Sequence, residues 1–375
     1  MRIEKLVAYT TEELEEKIRE MRRHFSPTLA LAFASPAIDI GECAHALQNL
    51  GCPVFGSSTA GEILAGEGPS PVFEQSVVCT LLDPDPTLFS VRVFPRENLS
   101  SVELGKQAGT WGAGCFGRPA FLLAVSGLTN DGEAIIRGIE QHAPKGTTIC
   151  GGIAADDNAF EKTLTFSETV STDDGIVVMV MDRDRISLSS FTTSGWIGVG
   201  VEMTVTSSEG NIVRSIDNRT PVDLVSEYLN IRKEDIVGTA LSFPMLVRRP
   251  DGSEVLRTAL SADFDSGALT YAGSVPEGSK IRFSSSFGME TVKATIRELK
   301  EYHAQKPGAD LIVLFDCCAR HQAAGSRITD EISAIAELWN APLIGFFTYG
   351  EIGHTRTGEC NVFNETLSLA LLKFT

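Results

Sequence analysis

A chain of 375 residues is longer than one hydrophobic core usually organises, so two domains, or one domain with a large insertion, are expected. Hydrophobic residues at 43% and charged residues at 22% are ordinary globular usage, and no apolar run reaches the length of a membrane span, so a soluble protein without membrane insertion is expected. A formal net charge of -17 would repel a phosphate backbone, and no basic stripe interleaved with aromatics offsets it, which argues against nucleic acid as a partner.

The opening stretch MRIEKLVAYTTEELEEKIRE lacks the apolar segment and small-residue cleavage site of a secretion signal, so the expected compartment is the cytoplasm. From Thr28, TLALAF reads as a strand, DIGECAHALQNLG as a helix, PVFG as a strand, STAGE as a polar turn and SVVCTLL as a strand. A second passage has the same order: AFLLAV (120–125), helix-like GEAIIRGIEQHA, TTICGG, the acidic turn IAADD with Asp156 and Asp157, and GIVVMVM. Between Arg185 and Phe287 the pattern changes to short alternating segments separated by SEG, PDGS and PEGS, which is β-rich. Within it TPVDLVSEYLN starts like a helix, with Thr220 as N-cap and Pro221 at the first helical position. The C-terminal passage returns to the first order: DLIVLF (310–315), TDEISAIAELWN, PLIG, FTYGE and TLSLALL.

The first and last passages carry the same turn, Gly-x-x-Thr-x-Gly-Glu-Ile, at Gly56, Thr59, Gly61, Glu62, Ile63 and at Gly345, Thr348, Gly350, Glu351, Ile352. The acidic passage is a weaker third version without the Gly-Glu. This pattern predicts an α/β (mixed α+β) fold in which repeated strand-helix-strand-turn-strand units form sheets covered by helices, with a β-rich segment in the middle. The two well-matched units would be pseudo-equivalent, facing one another or a shared cleft. No low-complexity tract or charged linker separates the parts, so they are expected to pack together.

GSSTAGE, the Gly195-Trp196 segment followed by VTSSEGN and DNRTPVDLVSEYL, then VLRTAL, SVPEGSKIRF, DCCAR, DEISAI, PLIGFFTYGEI and FNET occur in an order and spacing that resembles the FIST sensory proteins, with FIST N and FIST C regions in tandem. The resemblance runs from about Thr28 to the end. It implies a FIST N-like α/β domain over 1–200 and a FIST C-like domain over 201–375, the latter divided into a β-rich part (201–287) and an α/β unit (288–375). It further implies an intracellular input domain that binds a small ligand, amino-acid-like or another metabolite. The signal would pass to a separate output protein such as a histidine kinase, cyclase or chemoreceptor. Haem-dependent nitric oxide sensing is the family alternative.

Several residues could form the site. Gly61 and Gly350 permit a positive φ or a close backbone approach, while Thr59, Thr348, Glu62 and Glu351 supply hydroxyls and carboxylates at strand ends suited to an ammonium group; local capping or pairing is the competing reading. Cys317, Cys318 and Arg320 follow the strand LIVLF and should emerge at its C-terminal end. Arg320 could hold a carboxylate, and with Glu351 it would complement an amino acid, or it could pair with Glu331. Arg257 is a second anion holder or a solvated strand residue, and Asn364 and Thr366 either donate into the cleft or satisfy their own turn.

The eight cysteines, at 43, 52, 79, 115, 150, 317, 318 and 360, show no CxxC pair or metal-ligand spacing and read as reduced, mostly buried thiols. Of the six histidines only His321 and His354 fall beside the motif residues, and neither is marked as a haem ligand, so no cofactor is expected. Cys317 or Cys318 with His321 would be the catalytic alternative, an enzyme acting on a small amino-acid-like molecule. The absence of a Gly-x-Ser-x-Gly elbow, P-loop, dinucleotide fingerprint or HExxH favours a binding module.

Overall fold

Strands with apolar residues at nearly every position can only sit in sheets covered on both faces, and the chain meets this demand three times over. A computed structural model describes all residues except 241, 285–287, 355–357, 359 and 375, so the last three positions of the expected β-rich segment lie outside the described residues. The first unit runs β1 (Ile3–Ala8), α1 (Thr11–Met21), β2 (Leu29–Ala34), α2 (Ile40–Gln48), β3 (Val54–Ser58), the hairpin β4 (Glu62–Leu64) and β5 (Val72–Phe73), then β6 (Val77–Leu82). The second repeats the order as β7 (Phe89–Pro95), α3 (Ser101–Cys115), β8 (Pro119–Ser126), α4 (Gly132–His142), β9 (Ile149–Ile153), β10 (Thr165–Phe166), β11 (Ser171–Thr172) and β12 (Gly175–Asp182).

The third unit opens with β13 (Ile186–Thr193) and is then interrupted. The insertion comprises β14 (Gly198–Glu209), β15 (Ile212–Ile216), α5 (Pro221–Leu229), α6 (Ile236–Ala240), β16 (Met245–Arg248), β17 (Glu254–Arg257), β18 (Ala259–Asp263), β19 (Ala268–Tyr271) and β20 (Lys280–Ser284). The unit resumes with α7 (Met289–Gln305), β21 (Leu311–Cys317), α8 (Cys318–Ala324), α9 (Ile328–Trp339), β22 (Leu343–Thr348), β23 (Gly350–His354), β24 (Cys360–Phe363) and β25 (Leu367–Phe374). The inserted strands form their own sheet, β17-β16-β20-β14-β15-β19-β18. Pro221 takes the first position of α5, but the Thr220 hydroxyl donates to Asp223 and does not cap the backbone.

The three remaining sheets have one strand order: β1-β6-β2-β3-β10-β11, β7-β12-β8-β9-β23-β24, and β13-β25-β21-β22-β4-β5. In each, the strands joined by a helical crossover are parallel (β2 with β3, β8 with β9, β21 with β22) and the others antiparallel. The last two strands of every sheet are a hairpin lent by another unit. The first unit's hairpin completes the third sheet, pairing Ile63 with Gly345; the second's completes the first, pairing Phe166 with Gly56; the third's completes the second, pairing Glu351 with Gly152. Exchange therefore closes into a cycle.

Alternation along the strands sorts side chains between two kinds of core. Leu29, Leu31 and Phe33 of β2, Leu122 of β8, Val313 and Phe315 of β21, and Phe346 of β22 meet in one central cluster shared by all three sheets. The intervening residues face outward to helices: Ala30 and Ala32 toward α1 and α2, Leu123 and Val125 toward α3 and α4, Ile312 and Leu314 toward α9. The inserted sheet has a separate core built on Val205, Val247, Leu269 and Ile281.

Candidate functional site

The duplicated turn lies where each chain segment leaves its own sheet for the next. Thr348 ends β22 and Thr59 directly follows β3, the third strand of each unit, and Glu62 and Glu351 sit on the strand that crosses over. Both acids are fully buried. Glu62 accepts from the Thr59 hydroxyl with Oε1 and from the Ser76 amide (3.1 Å) and hydroxyl (2.5 Å) with Oε2. Glu351 reproduces this with Thr348 (2.5 Å) and with the Thr366 amide (3.3 Å) and hydroxyl (2.7 Å). Each carboxyl thus ties the start of a crossing hairpin to the residue just before the unit's last strand. Burial pushes Glu62 up to about 8 and Glu351 well above the carboxylate range, the hydroxyl bonds opposing it. Gly61 has φ +113°, a backbone that favours glycine, whereas a Cβ at Gly350 would come within 3.0 Å of Ile153 Cδ1.

The structure places both arginines in the interior. Arg320, at 0% exposure, donates to Asp316 Oδ1 (3.3 Å), Thr295 Oγ1 (3.3 Å) and Glu331. Arg257 is not solvated; it is also fully buried and donates to the carbonyls of Ser274, Leu256 and Val362, to Asn364 Oδ1 (3.2 Å) and to Glu133 Oε1 (2.9 Å). Arg249 joins the same Glu133. This cluster pins the inserted sheet to the N-terminal turn of α4 and to the third unit's hairpin. Burial lowers Arg257 to about 10, with Glu133 working against the drop.

A cavity of about 310 Å³ opens beyond these charges, where the insertion meets the C-terminal end of β21. Cys317, Cys318, Tyr349 and Asn364 of the third unit line it, together with Gly238, Thr258 and Leu260 of the insertion and Asn158 and Phe160 of the second unit. Glu365 lies behind this wall, fully buried and in the left-handed region at φ +56°. Its Oε1 accepts from Thr258 Oγ1 at 2.9 Å, and its Oε2 has no hydrogen-bond partner among the described residues. Burial pushes Glu365 up to about 8.

The loop over the cavity is built on Asp156. That carboxylate accepts the amides of Phe160 (2.9 Å), Glu161 (2.7 Å) and Lys162 (2.7 Å) and the hydroxyl of Tyr349. Three non-glycine residues in the loop, Asp157, Asn158 and Phe160, hold positive φ, a strain that persists only where surroundings impose it. Phe160 stacks on Tyr349 with centroids 4.4 Å apart and planes 7° from parallel. Asp157 accepts from Ser35 of the first unit at 2.6 Å, so the loop touches all three units.

The sequence-derived candidates thus fall into three places. Cys317, Cys318 and Asn364 line the cavity; Arg257, Arg320, Glu351, Thr348 and Thr366 form the buried network behind it; and Thr59, Gly61 and Glu62 occupy the corresponding turn of the first unit. Glu365, Thr258 and Phe160 carry no signal in sequence reasoning except position: Glu365 is the third residue of FNET and Thr258 follows Arg257 in VLRTAL.

Both ring nitrogens of His354 are used, Nε2 accepting from the Ile149 amide at 3.1 Å and Nδ1 lying 3.0 Å from the Gly358 carbonyl. His321 is stacked flat on Phe347 at 4.0 Å. Neither lines the cavity, so the residues present do not fit axial ligation of haem there. Among the described residues no group of three or more His, Cys, Asp or Glu is placed to hold a metal. Cys317 is raised well above the ordinary thiol range by its bond with Cys318, by burial and by Glu365, the reverse of an activated nucleophile.

The family model for the FIST N domain matches residues 28–219 and that for the FIST C domain matches residues 221–354. No curated protein matches the chain.

Proposed function

Because the chain belongs to the FIST family, whose domains are associated with sensory signal transduction, we propose that it is a ligand-binding input protein whose small, amino-acid-like metabolite occupies the cavity between the insertion and the third unit. One observation carries this reading: the cavity wall is assembled from the insertion, the second unit's loop and the end of β21, so an occupant would contact three parts of the molecule at once. Differential contacts of that kind are what a ligand needs to shift a conformational equilibrium. A histidine kinase, cyclase or chemoreceptor is the kind of output that would read the shift. The cytoplasm is the compartment we assign, supported by eight cysteines that are all free thiols. The common strand order of three sheets supports reading the chain as one repeated unit.

FIST is a sensory rather than a catalytic family, and the raised Cys317 thiol supports binding over turnover. The test is a thermal-shift screen of metabolites on the full chain and on Gly238→Trp. Gly238 lines the cavity and an added Cβ meets nothing within 4 Å, so a bulky side chain can be introduced at the cavity wall without a clash at its first carbon. Compounds that stabilise the unmodified chain should lose that effect in the variant. Stabilisation that survives Gly238→Trp would place the site elsewhere.

A further inference from the structure

Resting on that reading of the cavity, we propose that its occupant is an uncharged amino-acid derivative, a carbonyl oxygen of which accepts a hydrogen bond from Asn364 Nδ2 while its apolar side chain lies against Leu260 and Phe160. Among the described residues no Asp, Glu, Lys, Arg or His lines the cavity. Thr258, Ala259, Cys317, Cys318, Ala319 and Asn364 form its buried part, so a free ammonium or carboxylate seated against them would give up water with no opposite charge to receive it. The two buried guanidinium groups are spent on protein acceptors, Arg257 on Glu133, Asn364 and three carbonyls, Arg320 on Asp316, Glu331 and Thr295. An amino acid with an amide at each end carries neither charge, so it avoids that cost and keeps its side chain.

Asn364 supplies an open donor at the buried end. The residue is 4% exposed, and Arg257 settles which way its amide lies: a guanidinium has donors only, so the atom 3.2 Å from Arg257 Nη1 is the amide oxygen and the other terminal atom is the nitrogen. That nitrogen has no acceptor among the described residues and is not one of the atoms sealed from solvent, so it opens on the cavity that Asn364 lines. The two hydroxyls of the lining are engaged elsewhere, Thr258 with Glu365 at 2.9 Å and Tyr349 with Asp156. A lone N–H donor suits a carbonyl oxygen, and the bond from the guanidinium to Oδ1 polarises the amide toward stronger donation. Leu260 and Phe160, 49% and 54% exposed, give the mouth its apolar surface. At about 310 Å³ the cavity has the volume of about ten waters in the liquid, room for a blocked amino acid of roughly a dozen non-hydrogen atoms.

Isothermal titration calorimetry of the full chain with N-acetyl-leucinamide and N-acetyl-phenylalaninamide, each beside free leucine or phenylalanine, tests this. At least one blocked compound should bind about tenfold or more tightly than its free amino acid, and Gly238→Trp should abolish that binding. Asn364→Asp keeps an oxygen for Arg257 and withdraws the donor, so it should weaken the compound about tenfold. If Asn364→Asp does not fold, Asn364→Ser, which also withdraws the amide nitrogen, should show the same weakening. A free amino acid bound as tightly as its blocked form but lost in Gly238→Trp overturns the uncharged assignment and leaves the cavity reading standing. Blocked-compound binding that Gly238→Trp abolishes and the Asn364 variants leave unchanged overturns the hydrogen bond from Asn364. Binding that survives Gly238→Trp overturns both the assignment and the cavity reading. Failure of both blocked compounds to bind at about ten millimolar overturns the uncharged assignment, while the cavity reading stands or falls with the metabolite screen.

Discussion

Arg320 keeps its charge in full burial because Asp316 and Glu331 share it. Removing it leaves two acids buried and uncompensated, so Arg320→Ala should cost about 3–5 kcal/mol of stability, read from urea unfolding. The buried acids also make stability depend on pH. Burial raises Glu62 and Glu365 to about 8 and Asp316 to about 7, from 4.5 for the glutamates and 3.8 for the aspartate. A group raised in the folded state contributes stability that is complete below its unfolded value and lost as pH climbs through its folded value. The protein should therefore be more stable at about pH 5 than at about pH 8.5, and Glu62→Gln, uncharged throughout, should flatten part of the difference. Unfolding midpoints at the two pH values check the sign.

The same residues show what can be read from a chain of letters at this scale. Repetition of Gly-x-x-Thr-x-Gly-Glu marks Thr59, Glu62, Thr348 and Glu351, because a hydroxyl three residues before a carboxylate makes a local bond wherever the turn recurs. Glu365 gives no such sign. Its importance comes from Thr258, 107 residues away in sequence, and from burial created by the insertion.

Among the elements, the crossing hairpins hold most of the new information. Ile63 belongs to the first unit, yet it pairs with Gly345 of β22 and is buried in the third unit's outer core beside Leu343 and Phe347. Ile63→Ala should cost about 2–5 kcal/mol and should lower hydrogen-exchange protection in β22 as well as in β4. Protection lost only within the first unit would contradict the exchange. The loop over the cavity makes a second prediction. Tyr349→Phe removes the hydroxyl bonded to Asp156, so exchange at the amides of 160–162 should quicken while the core strands stay protected. Strand existence is legible from alternation and from turns such as STAGE and FTYGE. Sheet membership is not, because a strand of two or three residues such as β10 or β4 has the same pattern whichever edge it joins.

Across the whole molecule, the central cluster is held by all three units: Phe346 lies 4.6 Å from Phe33 and 5.6 Å from Phe315, ring centre to ring centre. The mixed α/β class and the β-rich middle segment follow from strand and helix periods. The cyclic lending of hairpins and the cavity at the insertion follow from long-range packing, which composition does not encode. The cavity is the point on which the functional account turns, and a crystal structure of the full chain with the compound that raises its melting temperature most tests it directly. Density for that compound between Thr258, Asn364 and Cys317, beneath Phe160, is the expected result. The compound bound at the Thr59–Glu62 turn, or anywhere else with this cavity empty, would contradict it.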